Sequence, residues 1–256
     1  MTLLRGALRR YCRRISNRTV LEIDVKGFIG IVCGLKSEEN AVLKASDSDP
    51  RLAIGVSGAN AARAVAIATQ FCQGGARMII SVGVSGGLDP TLSPGDLVIG
   101  KSVITKAGDA FDCDRSSAEA LTQVLADRIK PSVIYGADEV ILNASDKASI
   151  FTETTATSVD MESHGVARAA QSAGVPFAAI RAIADPADRT LPPAALNAVN
   201  DDGSTKVFTT LANAARDPAQ FPALMQLGKD SGKALTTLRG ELGGLLGALF
   251  LCSDLV

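Results

Sequence analysis

Three acidic residues stand at the ends of predicted strands, where a sheet would bring them together. Asp185 ends the strongest apolar run, Glu162 lies where a short strand runs into a helix, and Glu38 follows the first strand after a short loop. Open α/β sheets bind ligands at the carboxyl ends of their strands. Carboxylates that converge there, with few basic residues expected beside them, predict acid–base chemistry.

A glycine-rich segment, Gly83-Val84-Ser85-Gly86-Gly87, follows another apolar strand. Its exposed backbone N–H groups could face a sugar, a phosphate or a base, with Ser85 and Gly86 as contacts. The alternative is a simple tight turn.

The same five residues also fit G-x-S-x-G, the nucleophile elbow of serine hydrolases, and His164 is the only histidine. A nucleophile elbow must pass directly into a helix. Here residues 88–95 are rich in turn-forming types, and His164 falls inside a predicted helix. The sequence therefore argues against serine hydrolysis.

Composition excludes several classes of protein. The net charge is −1, there is no Trp and there are two Tyr, so a nucleic-acid surface of stacked aromatics is not expected. Five scattered cysteines without a C-x-x-C pair predict free thiols, and neither disulfides nor a metal site. Without a long unbroken apolar run or a signal peptide, we expect a cytoplasmic protein with no spanning helix.

Strand and helix patterns alternate along the 256 residues. This predicts an α/β fold, a single-domain three-layer sandwich with a mainly parallel twisted central sheet and helices on both faces. Strands are predicted at residues 28–33, 52–56, 78–82, 97–99, 133–135 and 177–183, and helices at 38–44, 60–71, 117–129, 145–152, 161–173, 204–215 and 222–238.

Both ends of the chain differ from this central part, residues 27–240. In residues 1–26, six arginines precede the first acid, Glu22. Apolar residues at helical spacing predict that residues 1–18 lie on the inner face of an anionic membrane; the alternative is an unstructured extension. The apolar tail, residues 241–256, is too short and glycine-rich to span a membrane. We expect it to pack on the core or to fray at the terminus. The alternative is that it lines an apolar substrate entrance.

Three blocks of sequence resemble the nucleoside phosphorylase and nucleosidase superfamily, which includes 5′-methylthioadenosine/S-adenosylhomocysteine nucleosidase. Within it, the V-D-M-E-S block and the Gly-Lys-Asp-Ser segment after Leu227 look closest to hopanoid-associated phosphorylases. The three blocks are Ser81 to Leu88 with Leu92 to Val98, Val159 to Ser163, and Val175 to Phe177 with Arg181 to Asp185.

The resemblance implies a role for each matching residue. Asp185 would protonate N7 of a leaving adenine, and Glu162 would accept hydrogen bonds from the ribose 2′ and 3′ hydroxyls. Met161 would pack against the ribose, while the backbone of Val140 and Ile141 would hold the base. The reaction implied is cleavage of the N-glycosidic bond of an adenosine derivative such as adenosylhopane.

Departures from the family pattern leave the acceptor open. Ser81 and Val84 replace an arginine and a serine that bind phosphate in hexameric phosphorylases. Glu38 matches the glutamate that activates water in nucleosidases. The resemblance to the phosphorylase subfamily favours phosphate as the acceptor. So does the helix start near Gly58 and Arg63, because helix N-termini bind anions.

We therefore expect phosphorolysis with inorganic phosphate as co-substrate and no cofactor, and keep hydrolysis by a methylthioadenosine/S-adenosylhomocysteine nucleosidase as the alternative. A non-catalytic nucleoside-binding protein is the alternative from another class. Ala184 replaces a family serine next to Asp185, and Val140 replaces an aromatic that stacks on adenine. The resemblance also implies a homodimer or a larger homo-oligomer.

Overall fold

The computed structural model describes residues 27–126, 129, 131–193, 199–205 and 218–254. The basic extension, residues 1–26, lies outside them. The helix predicted over residues 204–215 also lies outside them, apart from Ser204 and Thr205. Those two residues belong to a turn in which Thr205 pairs with Val199.

Eight strands form one sheet, in which five pairings are parallel and three are antiparallel. The sheet closes on itself, because β3, β8, β4, β6 and β7 pair in a ring that returns to β3. The mainly parallel α/β fold is confirmed; the closed ring goes beyond the prediction. The strands are β1 (Phe28–Cys33), β2 (Leu52–Val56), β3 (Ala76–Gly87), β4 (Leu97–Thr105), β5 (Ala110–Asp112), β6 (Ser132–Gly136), β7 (Ser158–Asp160) and β8 (Phe177–Asp185).

Helices cover both faces of the sheet, as predicted. Alternate residues of β1 and β3 point to opposite faces, so Ile31 and Ile80 pack against α1, α3 and α6, whereas Val32 and Ile79 pack against α2 and α5. A smaller cluster joins α4 to β6 and β7. The helices are α1 (Lys36–Ala45), α2 (Ala61–Gln73), α3 (Arg115–Val124), α4 (Ala144–Thr154), α5 (Ser163–Ala173) and α6 (Phe221–Asp254).

The last helix is longer than the sequence predicted. It was expected to end near residue 238, with a separate tail from residue 241, but α6 is continuous for 34 residues. Leu242, Leu245 and Leu249 are fully buried in the core, so the segment packs on the sheet.

By length and composition alone, residues 221–253 are apolar enough to cross a membrane, with a mean hydropathy of 1.3 in the most apolar window. No spanning helix was predicted here, because the sequence shows no apolar run of about 18 residues and the tail is short and rich in glycine. Of that window, 28% is buried inside the fold. The buried leucines of α6 lie on the face of the helix that packs on the sheet.

Candidate active site

A cavity of about 200 Å³ lies where β1, β3, β7 and β8 end. Apolar side chains from the loops after β6 and β8 complete its wall. The cavity brings together the predicted catalytic and substrate-binding residues, namely Glu38, Ser85, Gly86, Val140, Ile141, Met161, Glu162 and Asp185.

Glu38 lies in the first turn of α1 and is buried. Its Oε2 accepts hydrogen bonds from the backbone N–H groups of Gly34 and Leu35, each at 2.8 Å, and its Oε1 accepts one from Val84 at 2.7 Å. Burial raises the pKa of this carboxyl, while the backbone hydrogen bonds and the Arg181 charge act in the opposite direction. The carboxylate thus ties the loop after β1 to the glycine-rich end of β3.

Two glycines make room for the acids. A Cβ on Gly83 would lie 2.7 Å from Oε1 of Glu38. A Cβ on Gly34 would lie 2.6 Å from Oε1 of Glu162 and 3.4 Å from Oε2 of Glu38, so both carboxylates face this glycine. Any larger residue at either position would displace a carboxylate.

Glu162 precedes α5, and its side chain makes no capping hydrogen bond at the start of that helix. Burial, with the neighbouring negative charges of Asp160 and Glu38, raises its pKa to about 8, although Arg181 acts against this shift. The backbone N–H of Met161 is hydrogen-bonded to this carboxyl. A carboxyl on a cavity wall has acceptor capacity beyond that one bond, so it is suited to receive hydroxyl groups from a ligand.

Replacement of Glu162 by glutamine is expected to change how stability depends on pH. Because the folded-state pKa of about 8 lies above the ordinary value, the stability from the neutral carboxyl is fully present below pH of about 4.5 and is lost as pH rises through about 8. Glutamine cannot ionise. The free energy of unfolding of Glu162→Gln relative to wild type should therefore rise by a few kcal/mol from pH 5 to pH 9.

Urea unfolding at the two pH values measures this difference. The control is Glu153→Gln, which changes an exposed carboxyl in α4. A Glu162→Gln difference that is the same at both pH values would contradict the raised pKa.

Asp160 and Arg181 form a fully buried ion pair behind Glu162, with Nε of Arg181 2.6 Å from Oδ2 of Asp160. Arg181 also donates to the hydroxyls of Ser81 and Ser163 at 2.6 and 2.8 Å. Burial would raise the pKa of Asp160, but the charge of Arg181 and the hydrogen bonds from Ser163 outweigh it and lower the pKa. Oδ1 of Asp160 accepts from the N–H groups of Glu162 and Ser163, which fixes the start of α5.

Asp185 ends β8 and is buried. Its Oδ2 accepts a hydrogen bond from Nζ of Lys147, a fully buried lysine on α4. Burial raises the pKa of Asp185, and the charge of Lys147 opposes this rise.

These two basic partners, Arg181 and Lys147, correct the expectation of few basic residues near the acids. The position of Arg181 in the sequence indicates a buried acidic partner, because a charged residue in the middle of an apolar strand requires one. The position of Lys147 gives no such indication, since lysine is common on the exposed faces of helices.

Neither residue of the phosphate candidate lines the cavity. Nε and Nη2 of Arg63 donate to the carbonyls of Ser57 and Gly58 at 2.5 and 3.2 Å, and Nη1 lies 3.0 Å from Asp201. This guanidinium is therefore occupied by protein groups rather than directed at an anion in the cavity.

The serine-hydrolase arrangement is not formed. Ser85 lies inside β3, which continues into a loop rather than a helix, and its buried hydroxyl has no hydrogen-bond partner among the described residues. His164 instead lies 3.2 Å from Asp138 through Nε2.

No lysine or arginine lines the cavity among the described residues, whereas Glu38, Glu139, Asp160, Glu162 and Asp185 do. Within the same part of the chain, no group of three or more His, Cys, Asp or Glu side chains is placed to hold a metal ion.

The sheet closes into a ring and carries a carboxylate-lined cavity at its strand ends. These features define an α/β protein that binds a ligand at a site suited to acid–base chemistry. The sequence model of the Phosphorylase superfamily matches residues 51–216, more than half of the chain. The chain belongs to this superfamily, and it is an enzyme that cleaves N-glycosidic bonds.

Solved structures share the fold at low sequence identity. The native futalosine hydrolase of Helicobacter pylori strain 26695 matches with a TM-score of 0.67 and 16% identity, covering 87% of this chain and 98% of that one. A 5′-methylthioadenosine/S-adenosylhomocysteine nucleosidase from Helicobacter pylori matches with a TM-score of 0.68, 16% identity and the same coverage. The nucleosidase from Neisseria meningitidis, in complex with methylthio-immucillin-A, gives 0.67 and 16%, covering 87% and 99%.

Proposed function

We propose that this protein hydrolyses the N-glycosidic bond of an adenine nucleoside, with water rather than phosphate as the acceptor. The observation that supports this proposal is the set of residues that line the cavity. Three carboxylates from separate segments, Glu38, Glu162 and Asp185, line it, and no cationic side chain of the described residues does.

Asp185 is the acid in this proposal. Adenine is a poor leaving group as an anion, and a proton on N7 lets it depart neutral. The acid must hold its proton near neutrality. Burial raises the pKa of Asp185 in the required direction.

Glu162 is the group that receives the ribose. Its side chain lines the cavity and keeps acceptor capacity beyond the hydrogen bond from the Met161 backbone, so the sugar hydroxyls can supply hydrogen bonds that burial has removed. Its negative charge, once ionised, stabilises an oxocarbenium-like sugar as the glycosidic bond breaks. Met161 lies beside it in the cavity wall and supplies an apolar contact.

The choice of water depends on Glu38. The N–H groups of Gly34, Leu35 and Val84 converge as an anion-binding nest would. The carboxylate of Glu38 already occupies them. Phosphate would have to bind beside the Glu38 carboxylate, where like charges repel and no cationic side chain of the described residues offsets the repulsion. A carboxylate held in this way is instead placed to accept a proton from water. We therefore favour hydrolysis over the phosphorolysis that the subfamily resemblance implied.

The substituent on the ribose 5′ carbon is proposed to be apolar. Leu35, Ala59, Leu191 and Val199 form an apolar part of the wall. The cavity, at about 200 Å³, lies below the usual range of about 300–1,000 Å³ for ligand pockets. A bulky lipid group such as that of adenosylhopane would extend beyond it.

The test is to incubate the protein with adenosine, methylthioadenosine, S-adenosylhomocysteine and adenosylhopane, with and without inorganic phosphate, in ¹⁸O-labelled water. We expect adenine release that phosphate does not accelerate, and ¹⁸O at the sugar C1. A ribose 1-phosphate product would overturn the choice of water. Nucleoside binding without adenine release from any of the four would overturn this activity and favour the binding-protein alternative.

A further inference from the structure

Lys147 is fully buried, and its ammonium is completely enclosed by protein acceptors. Nζ donates to Oδ2 of Asp185, and to the carbonyls of Pro186 and Arg189, each at 3.1 Å. An ammonium has three N–H donors, and all three are used. Lys147 therefore holds one carboxyl oxygen of Asp185 and the loop that follows β8.

We propose that Lys147 is the positioning residue for the general acid: it fixes Oδ2 of Asp185, directs the proton-bearing Oδ1 to the leaving base, and stabilises the carboxylate formed on proton transfer. This inference rests on the proposed function, since it assigns Asp185 the role of acid. Lys147 also supplies an orienting contact to Asp185 at a place where Ala184 lacks the hydroxyl of the family serine.

The two oxygens of Asp185 have different surroundings. Oδ2 is bonded to Lys147, whereas no donor among the described residues is hydrogen-bonded to Oδ1. A Cβ on Gly86 would lie 3.4 Å from each oxygen, so the glycine leaves the carboxyl group accessible from the cavity wall. The free oxygen is therefore the one that can meet a base.

Lys147 keeps its protons throughout the transfer, because the proton that moves comes from Asp185. The O–H bond at Oδ1 breaks as the N7–H bond of adenine forms, and the electron pair of the bond from N9 to C1′ passes to the departing base. Asp185 becomes a carboxylate beside a retained ammonium. A buried ion pair replaces a neutral acid, so Lys147 stabilises the charge at the moment when it develops.

Two further charged residues act on Asp185. Arg189 forms an ion pair with Asp230 of α6, and these two act on the pKa of Asp185 in opposite directions. Lys147 is the cation in direct contact with the acid. Its loss is therefore expected to raise the pKa of Asp185 further, because burial would no longer be opposed by a bonded positive charge.

The experiment compares two substrates in one protein sample. Adenosine needs a protonated leaving group, whereas 4-nitrophenyl riboside releases a stable phenolate without acid assistance. The ratio of the two kcat/KM values does not depend on the fraction of protein that is folded. We expect this ratio to fall about 10- to 100-fold in Lys147→Met and Lys147→Gln, within the range of general-acid effects. Exposed Lys101→Met is the matched control and should keep the wild-type ratio.

The pH profile is the second measurement. Activity on adenosine falls as pH rises through the pKa of the acid. In Lys147→Met this fall should move up by about 1 to 3 pH units, the effect of removing one opposite charge. An unchanged ratio together with an unchanged pH profile would reduce Lys147 to a structural residue and overturn the proposal. If wild-type protein cleaves neither substrate, the proposed function fails, which is a distinct outcome.

Discussion

Replacement of Asp185 by asparagine is expected to slow adenine release from adenosine by about 10²- to 10⁴-fold, the usual contribution of a general acid. Asparagine keeps the shape of the side chain and can still accept from Lys147, but it has no proton of suitable acidity for N7. Single-turnover measurement of adenine release isolates the chemical step from product dissociation.

Two comparisons make this result specific. Asp188→Asn removes an exposed carboxyl three residues further along and should leave the rate unchanged. Cleavage of 4-nitrophenyl riboside, which needs no acid, should be nearly retained in Asp185→Asn. A rate on adenosine within about threefold of wild type would remove Asp185 from its role, since it would fall well short of a general-acid effect.

The strand ends were the part of the site that could be predicted from sequence. Asp185, Glu162 and Glu38 follow apolar runs, and parallel strands bring such ends to one edge. The partners of these acids could not be predicted in the same way. Lys147 reaches Asp185 from a helix 38 residues earlier in the chain, and no local pattern encodes that contact.

The glycine-rich end of β3 shows where local patterns mislead. Gly83 to Gly87 reads as a turn, because glycine weakens strands and favours loops. In the structure these residues continue the strand and pair with β8 and β7. The glycines are explained by close neighbours on the cavity side, Glu38 at Gly83 and the Asp185 carboxyl at Gly86.

The last helix shows the same limit for helices. Gly243, Gly244 and Gly247 disfavour a helix, each by about 1 kcal/mol relative to alanine. Leucines at helical spacing between and around them are fully buried on the sheet, and burial of one leucine contributes about 1.5–3 kcal/mol. Tertiary packing therefore outweighs the local propensity, and α6 continues where the sequence predicted an end.

Removal of the Glu38 carboxylate is expected to have an effect as large as the loss of Asp185. Glu38→Ala should reduce kcat on adenosine by about 10²- to 10⁴-fold, because no base then remains to accept the proton of the attacking water. It should also destabilise the fold, since each buried N–H left without a partner costs about 1–3 kcal/mol. Steady-state rates and urea unfolding measure the two effects separately.

Formate provides the sharper test of the same variant. The N–H groups of Gly34, Leu35 and Val84 would be vacant in Glu38→Ala, and a small carboxylate added to the solution should bind there and restore part of the rate. Wild type and the control Glu39→Ala, changed at the next residue of α1, should not respond to formate. A Glu38→Ala variant with the wild-type rate would exclude Glu38 as the base. A loss of rate in folded protein that formate does not relieve would instead make Glu38 a structural tie between α1 and β3, and the attacking water would need another acceptor.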